Sequence, residues 1–300
     1  MARDVGIGFT LQPEERYLEL CGSLIREETD YFEIAPETTW RPDPGRPGAL
    51  RPNGFHGTFA RLGEETGRPF VAHGVGFSVG TARRDPERDA RWLERSAADH
   101  ALFAFRWYTD HLGVTQADGY ELTLPLPVPM TPEAAAVVRG ALATLQSVVE
   151  DVGFENSAFY YHLGDPLAEP GWIARALDRP RTHLLLDLHN LHTNAVNAGF
   201  EEERYLQGLP LERVIEIHLS GGGTSEPRWL PSGRALRLDS HDAAVPERVW
   251  ELFEHVLPRC TGLRGVTLER MEGTVEDADV PLLREELRRA RRTVEVVGVG

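Results

Sequence analysis

The feature that most constrains this 300-residue chain is the repeated alternation of short β-rich runs with amphipathic segments. The runs are VGIGF (5–9), YFEIAP (31–36), PFVAHGV (69–75), FRWYTDHL (105–112), VGFEN (152–156), HLLLDL (183–188), RVIEIHLS (213–220) and RGVTLER (264–270). Between them lie stretches with helical spacing, such as PEERYLELCGSLIREE and VPERVWELFEHVLPR. In the second of these, Val249 or Trp250, then Leu252, Phe253 and Val256, fall at helical spacing. Thr131 followed by Pro132 and Glu133 reads as a helix cap and first turn. Strand–helix alternation predicts a parallel sheet flanked by helices. Eight repeats predict an α/β (β/α)8 TIM barrel, one domain over residues 1–300. The fourth run is the least distinct, because ALFAFRWY also reads as helix. Two long Pro- and Gly-rich loops, after the second and seventh runs, are lid or substrate-loop candidates.

A barrel does its chemistry where its strands end, so the residues at those ends matter most. The third run ends at His73 and the fourth at Asp110 and His111. The fifth supplies Glu155 and Asn156; the sixth, Asp187, His189 and Asn190. The seventh gives His218, and its following loop carries Asp239, His241 and Asp242. The eighth ends at Glu269, and the second offers Glu33 and Glu37. Parallel strands bring these side chains to one mouth. So many carboxylates together repel one another and raise each other's pKa unless cations lie among them. A mixed His/Asp/Glu set without Cys favours iron, manganese or zinc over calcium or magnesium. Each residue also has a plainer reading. Asp187 can cap the helix that follows it. His192 reads as a solvated residue at a helix start, and His183 lies at the opposite end of its strand. Glu216 reads as an ion-pair partner. The convergence of the set, and no single member, carries the metal reading.

The net charge of −15 argues against a nucleic-acid partner. No run approaches the ~20 apolar residues of a membrane span, and the N-terminal stretch does not read as a signal peptide. Cys21 and Cys260 are far apart, which fits a reducing cytosol rather than a disulfide framework. The chain contains no Lys. That excludes Schiff-base chemistry, a pyridoxal phosphate anchor and a P-loop, each of which requires an amine. GVGFSVG is a phosphate loop only in outline.

The strings FVAHGVGFSVG, TDHLGVTQADGYELTLPLPVPMT, FENSAFYY, LLLDLHNLHTNAVNAGF, VIEIHLSGG and DSHDAAVPERVWELF occur in that order. Together they resemble the multinuclear non-haem iron-dependent oxidases, a family that includes the oxidase of methanobactin biosynthesis. The resemblance spans about residues 5–290. It implies a barrel holding two or three iron ions, mixed Fe(II)/Fe(III), with dioxygen as co-substrate. Family members oxidise residues, often Cys, in ribosomally made precursor peptides, in some cases presented by a separate partner protein. By matching motif it implies metal ligands at His73, His111, Glu155, Asp187, His218, Asp239, His241 and Glu269. His189 stands where the family usually has Asn, and is an expected further ligand. Asp187, His189 and Asn190 are the expected catalytic group, with Asp110, Asn156 and Asp242 behind the ligands. The segment GFTLQPEERY lacks a His that the family often carries there. The alternatives are a zinc- or manganese-dependent barrel hydrolase or sugar isomerase, and a metal-binding scaffold without catalysis.

Overall fold

Eight strands form the ring that the alternation predicts: β1 (Gly6–Thr10), β2 (Tyr31–Ile34), β3 (Phe70–Gly74), β4 (Tyr108–His111), β5 (Val152–Glu155), β6 (Thr182–Asp187), β7 (Val214–Leu219) and β8 (Gly265–Leu268). The computed structural model describes residues 5–297. Every strand pairs in parallel with its sequence neighbours, and β8 pairs with β1 to close the barrel. The helices on the outside are α1 (Glu15–Glu28), α2 (Gly54–Thr66), α3 (Pro86–Phe103), α4 (Pro132–Leu145), α5 (Glu169–Ala176), α6 (Leu188–Ala198), α7 (Glu202–Gly208), α8 (Glu247–Val256) and α9 (Val280–Val297). Thr131 caps α4 as expected, its side chain accepting from Ala134 N. The ambiguous ALFAFRWY is split. α3 runs through Phe103, Ala104 turns left-handed at φ 50°, and the strand begins only at Tyr108. Among the described residues no helix is long and apolar enough to cross a membrane.

Residues two apart on a strand share a face, so the barrel interior follows from the sequence. The Tyr31 ring fills the centre because β1 and β8 are bare there. A Cβ on Gly8 would lie 2.4 Å from that ring, and one on Gly265 would lie 2.4 Å from its hydroxyl. Tyr31 and Thr267 both bond Glu216 Oε1, at 2.8 and 2.6 Å, and Trp107 Nε1 bonds Glu216 Oε2 at 2.6 Å. Hydrogen bonds thus hold Glu216 most closely, and its expected ion pair is the longer contact with His218 Nε2, at 3.9 Å. Burial, with Glu33 beside it, pushes Glu216 up to about 7. At the opposite end Asp151 gathers Arg181, His183 and Arg264 at 2.7–3.0 Å. This places His183 in the structural role that its strand position predicts.

Two hairpins add to the barrel. The proline-rich stretch after β2 is partly a hairpin, Trp40–Pro42 with Leu50–Pro52, and α2 begins at Gly54 within the expected loop. Trp40 Nε1 and His56 Nε2 bond the buried carboxylate of Asp99, at 2.6 and 2.9 Å, and Arg95 joins them. After β4, Val114–Ala117 pairs with Tyr120–Leu126. This hairpin is absent from the eight predicted runs, although Asp118–Gly119 is its signal. Both residues have positive φ, 48° and 83°, as a type I′ turn requires.

Glu169, buried at the start of α5, accepts from the Tyr205 hydroxyl at 2.7 Å, and its other oxygen has no partner. Burial pushes its carboxyl up to about 7 from the usual 4.5. The cost of ionising it is absent below pH 4.5, grows as pH rises, and is complete above about 7. Glu169→Gln is therefore expected to raise the thermal midpoint at pH 8, by about 1–3 kcal/mol of stability. At pH 4.5 it should leave the midpoint unchanged. An equal effect at both pH values in parallel melts would rule this out.

Candidate metal centre

The strand ends do converge. His73, His111, Glu155, Asp187, His218 and Glu269 come from five successive strands and the residue that follows β8. His111 Nε2 lies 3.2 Å from Glu155 Oε2, and His73 Nε2 lies 3.7 Å from the same oxygen. The two imidazoles stack at 4.6 Å. His218 Nδ1 is 3.0 Å from Glu269 Oε2 and 3.8 Å from Glu155 Oε1. One donor atom from each of Glu155, Asp187, His218 and Glu269 falls within 4.8 Å of all the others, and so do atoms of His73, Glu155 and His218.

Whether a cation fits here is decided by the hydrogen bonds these atoms do not make. Glu155 Oε2, Asp187 Oδ2, His218 Nδ1 and Glu269 Oε2 are all buried and make no aligned hydrogen bond, although imidazole and carboxylate approach to 3.0 and 3.2 Å. An unpartnered buried polar atom costs about 1–3 kcal/mol, more if charged. These four atoms belong to four residues whose ligand atoms lie close together, and such a set of oxygens and nitrogen suits a first-row divalent metal. A third group, Glu33, Glu216 and His218, is equally close but does not fit. Its carboxylates are consumed by Thr10, Tyr31, Trp107, Thr267 and His218 itself.

The electrostatics agree. Burial, then Glu155, Asp239 and Glu269, push Asp187 well above the usual carboxylate range. Burial opposes protonation of His218, but Glu269 and Glu33 outweigh it and hold the imidazole well above 6.5. Burial likewise disfavours charge on His73, yet Glu155 pushes it up to about 9. Protons on these groups offset the negative charge.

Asp187 serves two ends at once. Its Oδ1 caps α6 by accepting from Asn190 N at 2.6 Å, while Oδ2 is buried and makes no hydrogen bond. The cap reading is thus met by one oxygen, and the other is left open to the ligand role expected from sequence. Asn190 Nδ2 reaches Glu155 Oε1 at 3.2 Å. Asn156 clamps β5 to β6, bonding both N and O of Asp187 at 2.9 Å. Asp110 accepts from Ser78 N at 2.9 Å, and burial with Glu37 pushes it up to about 8. Glu37 takes the amides of Val75 and Gly76. Within GVGFSVG, the amides of Val75, Gly76 and Ser78 are therefore turned to carboxylates of this chain and that of Gly80 to the Gly113 carbonyl, rather than to a phosphate. Glu33, which the ligand set inferred from sequence omits, bonds His218 Nε2 at 2.9 Å. Only its place on β2 could have marked it.

The outer residues sit apart from this cluster. Asp239 Oδ1 lies between His241 Nε2 at 2.8 Å and His189 Nδ1 at 3.1 Å. His241 has a left-handed φ of 48° and approaches Glu269 Oε2 at 3.8 Å. Among the described residues, His189 joins none of the close metal-binding groups. Its other nitrogen, Nε2, meets Arg237 Nη2 at 3.3 Å. Asp242, expected behind the ligands, is exposed and accepts from Ser240 Oγ at 2.7 Å, so it holds the loop instead. His192 bonds Glu202 at 3.0 Å, outside the centre as expected. A cleft of about 360 Å³ opens above His111, Asp239 and His241. Its walls include Leu124 and Leu126 of the second hairpin, Phe159, Tyr160, Tyr161 and Met271.

A closed parallel barrel with a crown of His and carboxylate donors at its C-terminal mouth defines the class: a TIM barrel with a candidate metal centre where such barrels carry their active sites. Within that class, residues 4–295 match the family model of the RiPP precursor modification enzyme MbnB/TglH/ChrH, and the chain belongs to that family. A UPF0276 protein of Caulobacter vibrioides (strain NA1000 / CB15N) is 36% identical over 217 residues, covering 72% of this chain and 71% of the relative. A UPF0276 protein of Pseudomonas aeruginosa (strain UCBPP-PA14) is 29% identical over 271 residues, covering 90% and 87%. Among solved structures, a xylose isomerase domain protein from Planctomyces limnophilus superposes with a TM-score of 0.57 at 13% identity, covering 99% and 98%. Endonuclease IV from Thermus thermophilus gives 0.53 at 19%, covering 95% and 99%. At such identities these structures speak for the fold alone.

Proposed function

We propose that this chain is an iron- and dioxygen-dependent oxidase that modifies a residue, most readily Cys, of a ribosomally made precursor peptide. The observation that carries the reading is the close group of Glu155, Asp187, His218 and Glu269, each with a buried atom that makes no hydrogen bond, in a family of precursor-peptide modification enzymes. His73, His111 and Glu155 would hold one ion. Glu155, Asp187, His218 and Glu269 would hold a second, and Asp239 with His241 would help to hold a third. Bound iron supplies the one-electron chemistry and dioxygen activation that side chains lack.

The chain's own residues do the rest. Glu155 belongs to both inner groups and fixes their spacing. Asn190 steadies its outer oxygen, and Asn156 fixes Asp187. The aromatic and aliphatic cleft wall excludes water from the mouth and gives an uncharged peptide segment its contact surface. A presenting partner protein would dock around this rim.

The test is anaerobic reconstitution with Fe(II), counting iron per chain, followed by oxygen uptake and mass spectrometry with candidate precursor peptides. Two or more irons and a peptide mass change that requires oxygen are expected. Uptake of no more than one iron, or equal turnover under argon with zinc or manganese, would replace this reading with the hydrolase or isomerase one.

A further inference from the structure

We propose that His189 is a positioning residue for Asp239 rather than a metal ligand, fixed in a single tautomer by Arg237. This rests on the proposed metal centre only in the importance it gives Asp239. A count of donors carries it. A guanidinium has donors and no acceptor. Arg237 Nη2 lies 3.3 Å from His189 Nε2, so this contact is a hydrogen bond only if Nε2 bears its lone pair. A neutral imidazole carries one N–H, which must then sit on Nδ1. Nδ1 faces Asp239 Oδ1 at 3.1 Å and donates to it. His189 is fully buried, which disfavours a charged ring next to a guanidinium. Both ring nitrogens are thereby occupied, and no lone pair is left for a metal.

Three other imidazoles of the centre, His73, His111 and His218, are backed the opposite way. His111 Nδ1 faces the Gly74 carbonyl at 3.0 Å. His73 Nδ1 faces Thr109 Oγ1 at 3.0 Å, and that hydroxyl donates to Ala72 O. His218 Nε2 faces Glu33 Oε2 at 2.9 Å. An acceptor behind the ring holds the N–H there and sends the lone pair forward, as metal-ligating histidines require. Among these four, only His189 has a donor behind it.

The arrangement is built in. Asn197 of α6 brackets the backbone of Arg237, accepting from its N and donating to its O, both at 2.9 Å. Gly222 leaves room for the ring, since a Cβ there would lie 3.0 Å from His189 Cε1. An Asn at position 189 carries an amide N–H that can make the same bond to Asp239, so the two residue types are interchangeable as donors.

The first measurement is two-bond nitrogen–proton correlation NMR on the metal-free, histidine-labelled chain. The Nδ1–H tautomer is expected for His189, and Arg237→Leu should introduce the Nε2–H form. The second is metal counting and titration by Fe(II) under argon. His189→Asn should keep the wild-type number of ions with affinity within a few-fold. His189→Leu should keep the number but weaken affinity roughly ten- to a hundredfold, as loss of an outer-shell partner does. An Nε2–H tautomer in the wild type, or loss of one ion in His189→Asn, overturns the proposal. The tautomer needs no metal, so a wild-type chain that binds no iron defeats the proposed function and still leaves this question decided.

Discussion

A chain carrying Glu155→Gln is expected to fold normally, to lose at least one bound metal ion and to lose turnover by roughly three orders of magnitude. The choice of Gln matters. Its carbonyl can still accept from Asn190 Nδ2, which lies 3.2 Å from Glu155 Oε1, so the end of β5 keeps its tie to α6. Its volume is that of Glu, so no cavity opens in a strand buried on both faces. What disappears is the charge, and with it the only carboxylate that belongs to both inner groups of donors. An amide is a weak ligand for a divalent metal, and its NH2 end has no lone pair to offer. Circular dichroism, metal analysis and oxygen uptake measured together separate this outcome from misfolding. A folded variant with its full complement of metal and more than a tenth of the activity would remove Glu155 from the centre.

The second large effect is on stability. Saturating Fe(II) or Zn(II), added under argon to the metal-free chain, is expected to raise its thermal midpoint by about 5–10 °C. At a thousandfold excess over Kd the linkage is about 4 kcal/mol, and a chain of this size converts each kcal/mol into roughly 2 °C. The gain should grow with pH. In the metal-free chain Glu155 overcomes burial and raises His73 to about 9, and Asp187 is raised well above its usual range. Metal must expel those protons, so binding is weakest near pH 6 and strengthens until His73 is deprotonated above about 9. Each displaced proton is worth roughly tenfold in affinity per pH unit. Melts at pH 6.5 and 8.5, paired with a pH-stat record of proton release, check both parts. A larger gain at pH 6.5, or binding without proton release, would contradict the assignment of these groups.

The barrel and most of the inner centre are readable from sequence for one reason. Parallel strands of fixed period send the last inward residue of each to the same mouth, so His73, His111, Glu155, Asp187 and His218 can be found without coordinates. Glu269 follows just after β8. Other features depend on contacts between residues distant in sequence. Glu33 supports His218 across 185 positions, and nothing near either residue signals the pairing. Arg237 reaches His189 from a long loop whose path has no periodic pattern, so His189 reads from sequence as a ligand. Asp242 sits in the same short string as Asp239 and His241, but the left-handed turn at His241 leaves it outside. The hairpin after β4 had a local signal in Asp118–Gly119, but a count of barrel strands has no place for an excursion.

Glu216, on the barrel axis beneath His218, has every oxygen bonded by a wall residue: Tyr31, Thr267 or Trp107. A crown resting on such a plug differs from one resting on water or on loose aliphatic side chains. When an electron or proton arrives above, the dipoles beneath are already pinned and have little freedom to swing. The reorganisation energy of the surroundings is correspondingly small. For a centre that changes oxidation state, that sets how fast charge can move. If the centre is the iron site proposed above, Trp107→Phe is expected to loosen the plug and slow electron transfer without touching a ligand.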